Sequence, residues 1–194
     1  PAPQITPADG WTHSDEIIIQ WPSVEDELSG TSHYEVRWAG GLWAPVYENQ
    51  SSVNLSMLMD GRYSFEVRAI DEAGNVGPAN ATWIRVDRHA PVVSIEQIEA
   101  KRTPISKLIV NLNIDDGEGS GPSAIEWSSD NLSWDAYPDG GLILWDDWNN
   151  TNLYIRITDG AELYTISSLE IDIPAEEIET ADESGNERGS SPSS

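Results

Sequence analysis

Residues 63–69 read YSFEVRA, and apolar side chains alternate with polar ones along the whole stretch. A period of two is the pattern of a β-strand with one buried face and one solvated face. Residues 153–157, LYIRI, show the same alternation. We therefore predict one half-buried strand in each half of the chain.

The two stretches belong to a repeat that covers most of the sequence. Ser29 corresponds to Ser120 at an offset of 91 residues, and after a three-residue deletion Asp71 corresponds to Asp159 at an offset of 88. A period of this size is that of a whole small domain. We predict one domain over residues 1–88 and a second over 89–173, joined across the boundary by a short linker, residues 87–91, that Pro91 stiffens.

Turn residues separate the strand-like stretches throughout both halves. Gly-Gly and Asp-Gly pairs lie between short alternating runs, and no segment has a helical period longer than two turns. Short strands at intervals of about 8–12 residues indicate a β-sandwich of about seven strands. The chain is therefore predicted to be all-β, with the first strand near residues 3–6. Residues 174–194 lack aromatic side chains and periodicity, so we predict a disordered, acidic, Ser-rich linker there.

The formal net charge of -24 restricts the partners of the chain. Such a surface repels phosphate backbones, so we predict no nucleic-acid partner. No apolar run reaches 18 residues, so we predict no membrane insertion. Residues 1–3, Pro-Ala-Pro, read like a linker entering a domain. This start favours an internal piece of a longer protein, with neighbouring domains as partners, or a mature processed product.

Residues 63–75, YSFEVRAIDEAGN, resemble the strand F region of a widespread prokaryotic module. Together with a Ser-Gly loop, Trp43 and the Ala90-Pro91 linker end, they are similar to the immunoglobulin-like or fibronectin type III-like repeats of bacterial and archaeal secreted and cell-surface proteins. The resemblance implies two tandem immunoglobulin-like β-sandwiches and an extracellular or cell-surface location. It does not separate spacers from adhesins or accessory domains.

The sequence contains no recognisable catalytic motif. His13, His33 and His89 are far apart and in no ligand spacing, and the common nucleophile, metalloprotease and phosphate-loop motifs are absent. We predict that the chain is not an enzyme.

Residues 115–121, DDGEGSG, form an acidic, glycine-rich loop that offers oxygen ligands of the kind Ca²⁺ prefers. In a sandwich of this type, the loop lies at the same pole as the domain linker and the end of the strand predicted over residues 152–158. We therefore expect the loop to face the linker, with Asp159 nearby. Three alternatives remain open: a solvated turn, ion pairing to Arg88, or bound Ca²⁺. The candidate metal ligands are Asp87, Asp115, Asp116 and Glu118.

Residues 145–148, Trp-Asp-Asp-Trp, have no counterpart in the first half. Trp145 and Trp148 could stack on a sugar ring while the carboxylates bind its hydroxyls, so they are candidate ligand-binding residues. The alternative is that both rings serve packing.

A separate prediction concerns Asp71 and Asp159, which follow a strand and precede a turn. We expect both to accept hydrogen bonds from backbone N–H groups.

Asn-x-Ser/Thr triplets favour an extracellular setting, although turn composition alone could produce them; they begin at Asn49, Asn54, Asn80, Asn131 and Asn149. The sequence thus predicts a non-catalytic extracellular spacer, stalk or adhesion region of a larger secreted or cell-surface prokaryotic protein. Its partner would be a cell-surface protein or a glycan. The alternative is an accessory carbohydrate-binding region of a secreted hydrolase.

Overall fold

Strands make up the regular structure of the described residues. The computed structural model describes residues 1–6, 10–25, 29–102, 105–145 and 148–171, and the tail predicted over 174–194 lies outside them. The strands of the first half are β1 (Glu16–Gln20), β2 (Thr31–Trp38), β3 (Ala44–Val46), β4 (Gln50–Asn54), β5 (Gly61–Asp71) and β6 (Asn80–Val86). Those of the second half are β7 (Val92–Arg102), β8 (Ile105–Asp115), β9 (Pro122–Ser128), β10 (Asp135–Ala136), β11 (Leu142–Trp145), β12 (Asn152–Asp159) and β13 (Tyr164–Glu170).

The strand order is the same in the two halves. In the first, β1 pairs with β4, and a second sheet has the order β3-β2-β5-β6. In the second, the sheets are β11-β8-β7 and β10-β9-β12-β13, and all the pairs are antiparallel. Each half is therefore a two-sheet immunoglobulin-like sandwich, as predicted, and the strands match one for one except that β7 has no partner in the first half.

The missing strand is the one predicted near residues 3–6. Thr6 N donates to Gln20 O at 3.0 Å and Asn80 Nδ2 donates to Pro3 O at 2.9 Å, but no regular strand pairing forms at residues 3–6. Pro3 has no N–H to donate to a ladder. The corresponding strand β7 has eleven residues without proline and pairs with β8 along its whole length.

Alternation along the strands builds the two cores. Phe65 and Val67 of β5 are fully buried, and so are Leu153 and Ile155 of β12. Each set packs within its own hydrophobic cluster, one per half. Full burial of a side chain of this size stabilises the folded state by about 2–3 kcal/mol. The domain bounds at residues 88 and 173 stay a prediction.

One contact on the outer sheet face occurs in both halves. The guanidinium of Arg68 lies 4.1 Å from the ring centre of Trp43, and that of Arg156 lies 4.3 Å from the ring centre of Trp134. In both halves the arginine also pairs with a glutamate of the neighbouring strand, at 2.6 and 2.7 Å. A cation–π contact at such a site contributes about 0.5–1 kcal/mol. The repeated Trp therefore holds the sheet arginine in place rather than filling the core.

Asp130 organises the turn between β9 and β10. Its Oδ1 accepts hydrogen bonds from the backbone N–H groups of Leu132 and Ser133, both at 2.8 Å, and from Ser128 Oγ at 2.9 Å. The backbone hydrogen bonds from Ser133 and Leu132 lower the pKa of Asp130 to about 2. These bonds favour the ionised form, so the turn is tied to the charge of this carboxylate.

Acid should therefore weaken this turn before it affects the core. Because the pKa of Asp130 is lower in the folded state, its contribution to stability is present above a pH of about 4 and is lost as the pH falls towards about 2. We expect Asp130→Asn to be less stable than wild type at neutral pH, with the two stability curves converging at low pH. Urea midpoints between pH 2 and 7 measure this. Asp135→Asn, which removes the same charge from exposed β10, is the control and should not converge in this way.

Candidate functional site

The aspartates that end strands β5 and β12 each hold the following turn. Asn75 N donates to Asp71 Oδ1 at 2.7 Å, and Leu163 N donates to the equivalent oxygen of Asp159 at 2.9 Å. Ala161 N adds a second bond to Asp159 Oδ1 at 2.8 Å. The hydrogen bonds from Asn75, chiefly that of its side chain, lower the pKa of Asp71. The prediction that both carboxylates accept backbone N–H groups is confirmed.

The two carboxylates differ in their second oxygen. Asp71 Oδ2 accepts hydrogen bonds from Asn75 Nδ2 at 2.8 Å and from Ser29 Oγ at 3.1 Å. Asp159 Oδ2 is buried and has no hydrogen-bond partner among the described residues, and the whole side chain is only 1% exposed. Alternation along β12 places it there, because Asp159 follows Leu153, Ile155 and Ile157 on the inward face.

The loop from β8 to β9 brings a second carboxylate to the same place. Asp116 Oδ2 accepts a hydrogen bond from Gly121 N at 2.6 Å, while its Oδ1 is buried without a partner among the described residues. Gly119 lies directly against this group. A Cβ at Gly119 would stand 2.8 Å from Asp116 Oδ2 and 2.9 Å from Asp87 Oδ2, so only glycine fits.

The linker supplies the third carboxylate, from Asp87. This side chain is fully buried, and its Oδ2 accepts a hydrogen bond from Ser120 N at 2.7 Å. Its backbone N donates to Thr12 O in the first half at 3.0 Å. The loop of the second half therefore faces the linker, as the sequence predicted.

Together these residues form a compact acidic cluster, defined here as Asp87, Asp116 and Asp159. One carboxylate oxygen from each lies within 4.8 Å of those from the other two. Burial raises the pKa of Asp116, and the negative charges of Asp87 and Asp159 raise it further. The hydrogen bond from Gly121 acts in the opposite direction. The cluster is thus a place where negative charge is costly unless a proton or a cation neutralises it.

Of the metal ligands predicted from sequence, the structure brings Asp87 and Asp116 together but not Asp115 or Glu118. Asp115 is exposed at the end of β8, where its Oδ1 accepts a hydrogen bond from Gly117 N at 3.0 Å. Successive residues of a strand point to opposite faces, so neighbours 115 and 116 diverge. Glu118 is also exposed, at the tip of the loop. The third member is Asp159, whose inward position follows from the period of β12.

Arg88, the alternative counter-charge, turns towards the first half instead. Its Nη1 donates to Asp15 Oδ1 at 2.9 Å, and its Nη2 donates to Ser14 O at 3.0 Å and Leu55 O at 3.1 Å. Within the described parts of the chain, no ion pair involves a member of the acidic cluster.

The two tryptophans proposed to bind a sugar have different surroundings. Trp145 is 45% exposed, with Lys107 Nζ 5.9 Å from its ring centre. Trp148 is half-buried against Trp127, with the ring centres 6.1 Å apart, and its Nε1 is buried without a partner among the described residues. The two rings therefore do not present one shared exposed platform.

No protein-family model matches the chain. A transaldolase of Thermobifida fusca (strain YX) is 34% identical over 83 residues, which are 41% of this chain and 21% of that protein. The chain thus spans about a fifth of the length of the curated relative it matches.

Several solved structures are similar to the chain at low sequence identity. They include the fibronectin(III)-like modules of Clostridium thermocellum CbhA, with 15% identity and a TM-score of 0.43 over 88% of this chain and 94% of that one. A bacterial ice-binding adhesin gives 11% identity and a TM-score of 0.47 over 87% and 62% of the two chains. Chitinase ChiA74 from Bacillus thuringiensis gives 14% identity and a TM-score of 0.38 over 89% of this chain and 27% of that one. At these scores, the fold rests on the strand order and register of the chain itself. None of the described segments is a helix with the length and apolarity needed to cross a bilayer.

Proposed function

We propose that the chain is a non-catalytic extracellular spacer that holds its two sandwiches in a fixed arrangement within a longer secreted or cell-surface protein. The observation that carries this proposal is the linker, because polar groups of both halves bind it: the Asp60 carboxylate of the first half and the backbone N–H of Ser120 of the second. A linker that only tethered two domains would be solvated and free to bend. Here Asp87 is fully buried and accepts a hydrogen bond from Ser120 of the second half.

The next two linker residues are fixed on the first half. Arg88 N donates to Asp60 Oδ1 at 2.7 Å, and His89 Nδ1 lies 2.6 Å from Asp60 Oδ2. A further contact joins the halves directly, because His13 Nδ1 lies 3.2 Å from Ala161 O. Three consecutive linker residues thus have defined partners. This pattern suits a stalk that transmits position and force better than a flexible tether.

The arrangement of the histidines supports a non-catalytic role. His13 contacts a backbone carbonyl, His33 lies beside Ser32 and Tyr47, and His89 pairs with Asp60. Each is used locally and at a different place. The acidic surface and the glycosylation-type triplets support the extracellular setting.

The spacer proposal predicts a narrow distribution of distances between the halves. The chain has no cysteine, so single cysteines at Leu42 and Leu132, which are 93% and 83% exposed, allow specific spin labelling in each half. Double electron–electron resonance should give one narrow peak. The control is a Gly-Gly-Ser-Gly-Gly insertion between His89 and Ala90, which adds a flexible span of about 12 Å and should broaden the peak. Equal widths in the two proteins would contradict the proposal.

The alternative proposal is an accessory carbohydrate-binding region, and the exposed ring of Trp145 favours it. An aromatic face beside a lysine can stack on a sugar and bind its hydroxyls. Quenching of tryptophan fluorescence by soluble oligosaccharides, lost in Trp145→Ala and retained in Trp83→Ala, would support this alternative. Trp83 is a suitable control because it is 56% exposed on β6 of the other half.

A further inference from the structure

We propose that the acidic cluster of Asp87, Asp116 and Asp159 binds one Ca²⁺ ion at the junction of the two halves. The proposal does not rest on the spacer role, since a bound ion is measured independently of the distance between the halves. It differs from the set read from sequence because Asp159 replaces Asp115 and Glu118.

The spacing of the carboxylates fits a single ion. Ligands of Ca²⁺ lie about 2.3–2.6 Å from the ion, so two oxygens bound to the same ion are at most about 5 Å apart. One oxygen from each of Asp87, Asp116 and Asp159 meets this limit, with all three within 4.8 Å of one another. The three residues come from the linker, from the β8–β9 loop and from the end of β12, so the fold brings them together.

Two oxygens of the cluster have no donor, and this observation points to a ligand. Asp159 is 99% buried and its Oδ2 has no hydrogen-bond partner among the described residues; the same holds for the buried Oδ1 of Asp116. A buried carboxylate oxygen without a partner costs free energy unless a cation or a proton satisfies it. In the first half, Asp71 occupies the position of Asp159, and both of its oxygens accept hydrogen bonds.

The basic side chains nearby are directed elsewhere. Arg88 is bound to Asp15 and to carbonyls of the first half. His89 pairs with Asp60, and His13 contacts the backbone of Ala161. With three carboxylates and no paired cation among the described residues, the cluster favours a divalent ion.

The chemistry of the donors selects Ca²⁺ among common divalent ions. All three side-chain ligands are hard carboxylate oxygens, and the chain has no cysteine to attract softer metals. Mg²⁺ is usually held by one or two carboxylates and keeps several waters, whereas Ca²⁺ accepts more protein oxygens in a flexible geometry. Three carboxylates around one point therefore suit Ca²⁺ better.

Calorimetric titration of the full 194-residue chain with CaCl₂ tests the proposal. The protein is first treated with chelator and then exchanged into chelator-free buffer at about 0.15 M NaCl, where weak surface charge interactions are screened. We expect one ion per chain, with a dissociation constant at or below the range of about 0.1–1 mM that is usual for extracellular modules. Absence of binding heat up to about 10 mM CaCl₂ would overturn the proposal.

Matched variants separate this site from general attraction of Ca²⁺ to an acidic surface. Asp159→Asn keeps an oxygen for Ala161 N and Leu163 N but removes the charge, and it should weaken binding at least about tenfold. Asp71→Asn makes the same change at the equivalent position of the first half and should bind as wild type. Equal binding in Asp159→Asn and wild type, or equal loss in both variants, would overturn the site.

A second variant covers the case in which Asp159→Asn does not fold. Asp116→Asn lies in a loop rather than in a core strand, and it should also weaken binding at least about tenfold. Thermal melts with CaCl₂ and with chelator give an independent readout. Wild type and Asp71→Asn should melt higher with CaCl₂, and Asp116→Asn should show little difference. If CaCl₂ at the concentrations that saturate the calorimetric titration left the melting temperature of wild type unchanged, this result would count against binding at the junction.

Discussion

Phe65→Ala is expected to lower the free energy of unfolding of the first half by about 3–5 kcal/mol. Phe65 is fully buried on β5, with its ring centre 6.3 Å from that of Trp21, and truncation of a buried aromatic removes its burial energy and leaves a cavity. Urea unfolding followed by circular dichroism would show an early transition in this variant. The remaining signal reports the second half.

Leu153→Ala is the matched change in the second half, because Leu153 occupies the position of Phe65 and is also fully buried. We expect a loss of about 2–5 kcal/mol confined to the second half. The two hydrophobic clusters are separate, so each substitution should move one transition and leave the other nearly in place. If both variants shifted a single common transition equally, residues 1–88 and 89–173 would unfold as one cooperative unit rather than as two independent domains.

Arg88→Ala is expected to lower the free energy of unfolding of the first half by about 2–4 kcal/mol. The guanidinium donates to Ser14 O and Leu55 O and pairs with Asp15, and its side chain is 21% exposed. Removal of the guanidinium takes one donor from each of these carbonyls and the partner from Asp15, and hydrogen bonds to charged groups contribute about 1.5–3 kcal/mol each without being additive. Differential scanning calorimetry would measure the shift.

Arg62→Ala is the control for Arg88→Ala. It removes the same charge from an exposed side chain whose ring contact is with Trp11, at 5.7 Å. We expect at most about 1 kcal/mol from that loss. Arg88→Lys should resemble Arg88→Ala more than wild type, because an ammonium cannot reproduce the fork geometry of the guanidinium. Equal effects in Arg62→Ala and Arg88→Ala would show that charge, and not the linker contacts, is responsible.

Most of the fold was predicted from two features of the sequence, the alternation of apolar and polar residues and the internal repeat. The apolar residues that alternate in YSFEVRA are the side chains that β5 buries. The offset from Ser29 to Ser120 identified equivalent loops in the two halves. The sequence also placed a first strand near residues 3–6, which the structure does not form. Pro3 was a visible signal against it, since proline cannot donate to a strand ladder.

For the acidic cluster, the sequence determined which loop would face the linker, because loop order in a sandwich follows from strand order. The sequence also indicated that Asp159 points inward, because it lies two residues after Ile157 on the alternating strand, but the sequence prediction did not use this. Whether Asp115 or Asp116 points into the cluster depends on where β8 ends and on which face its last residue lies. The alternation of apolar and polar residues does not give that end, so the sequence could not decide between the two.

The sequence by itself determined that the chain is two copies of one all-β module, since alternation and repetition are local and periodic properties. Only the tertiary structure decided the partner of Arg88, because its acceptors lie at Ser14, Asp15 and Leu55, distant in sequence and mostly backbone carbonyls. The same holds for the two unpartnered oxygens of Asp116 and Asp159. Whether a polar atom finds a donor depends on the packing of several segments at once, and no local pattern of residues records that geometry.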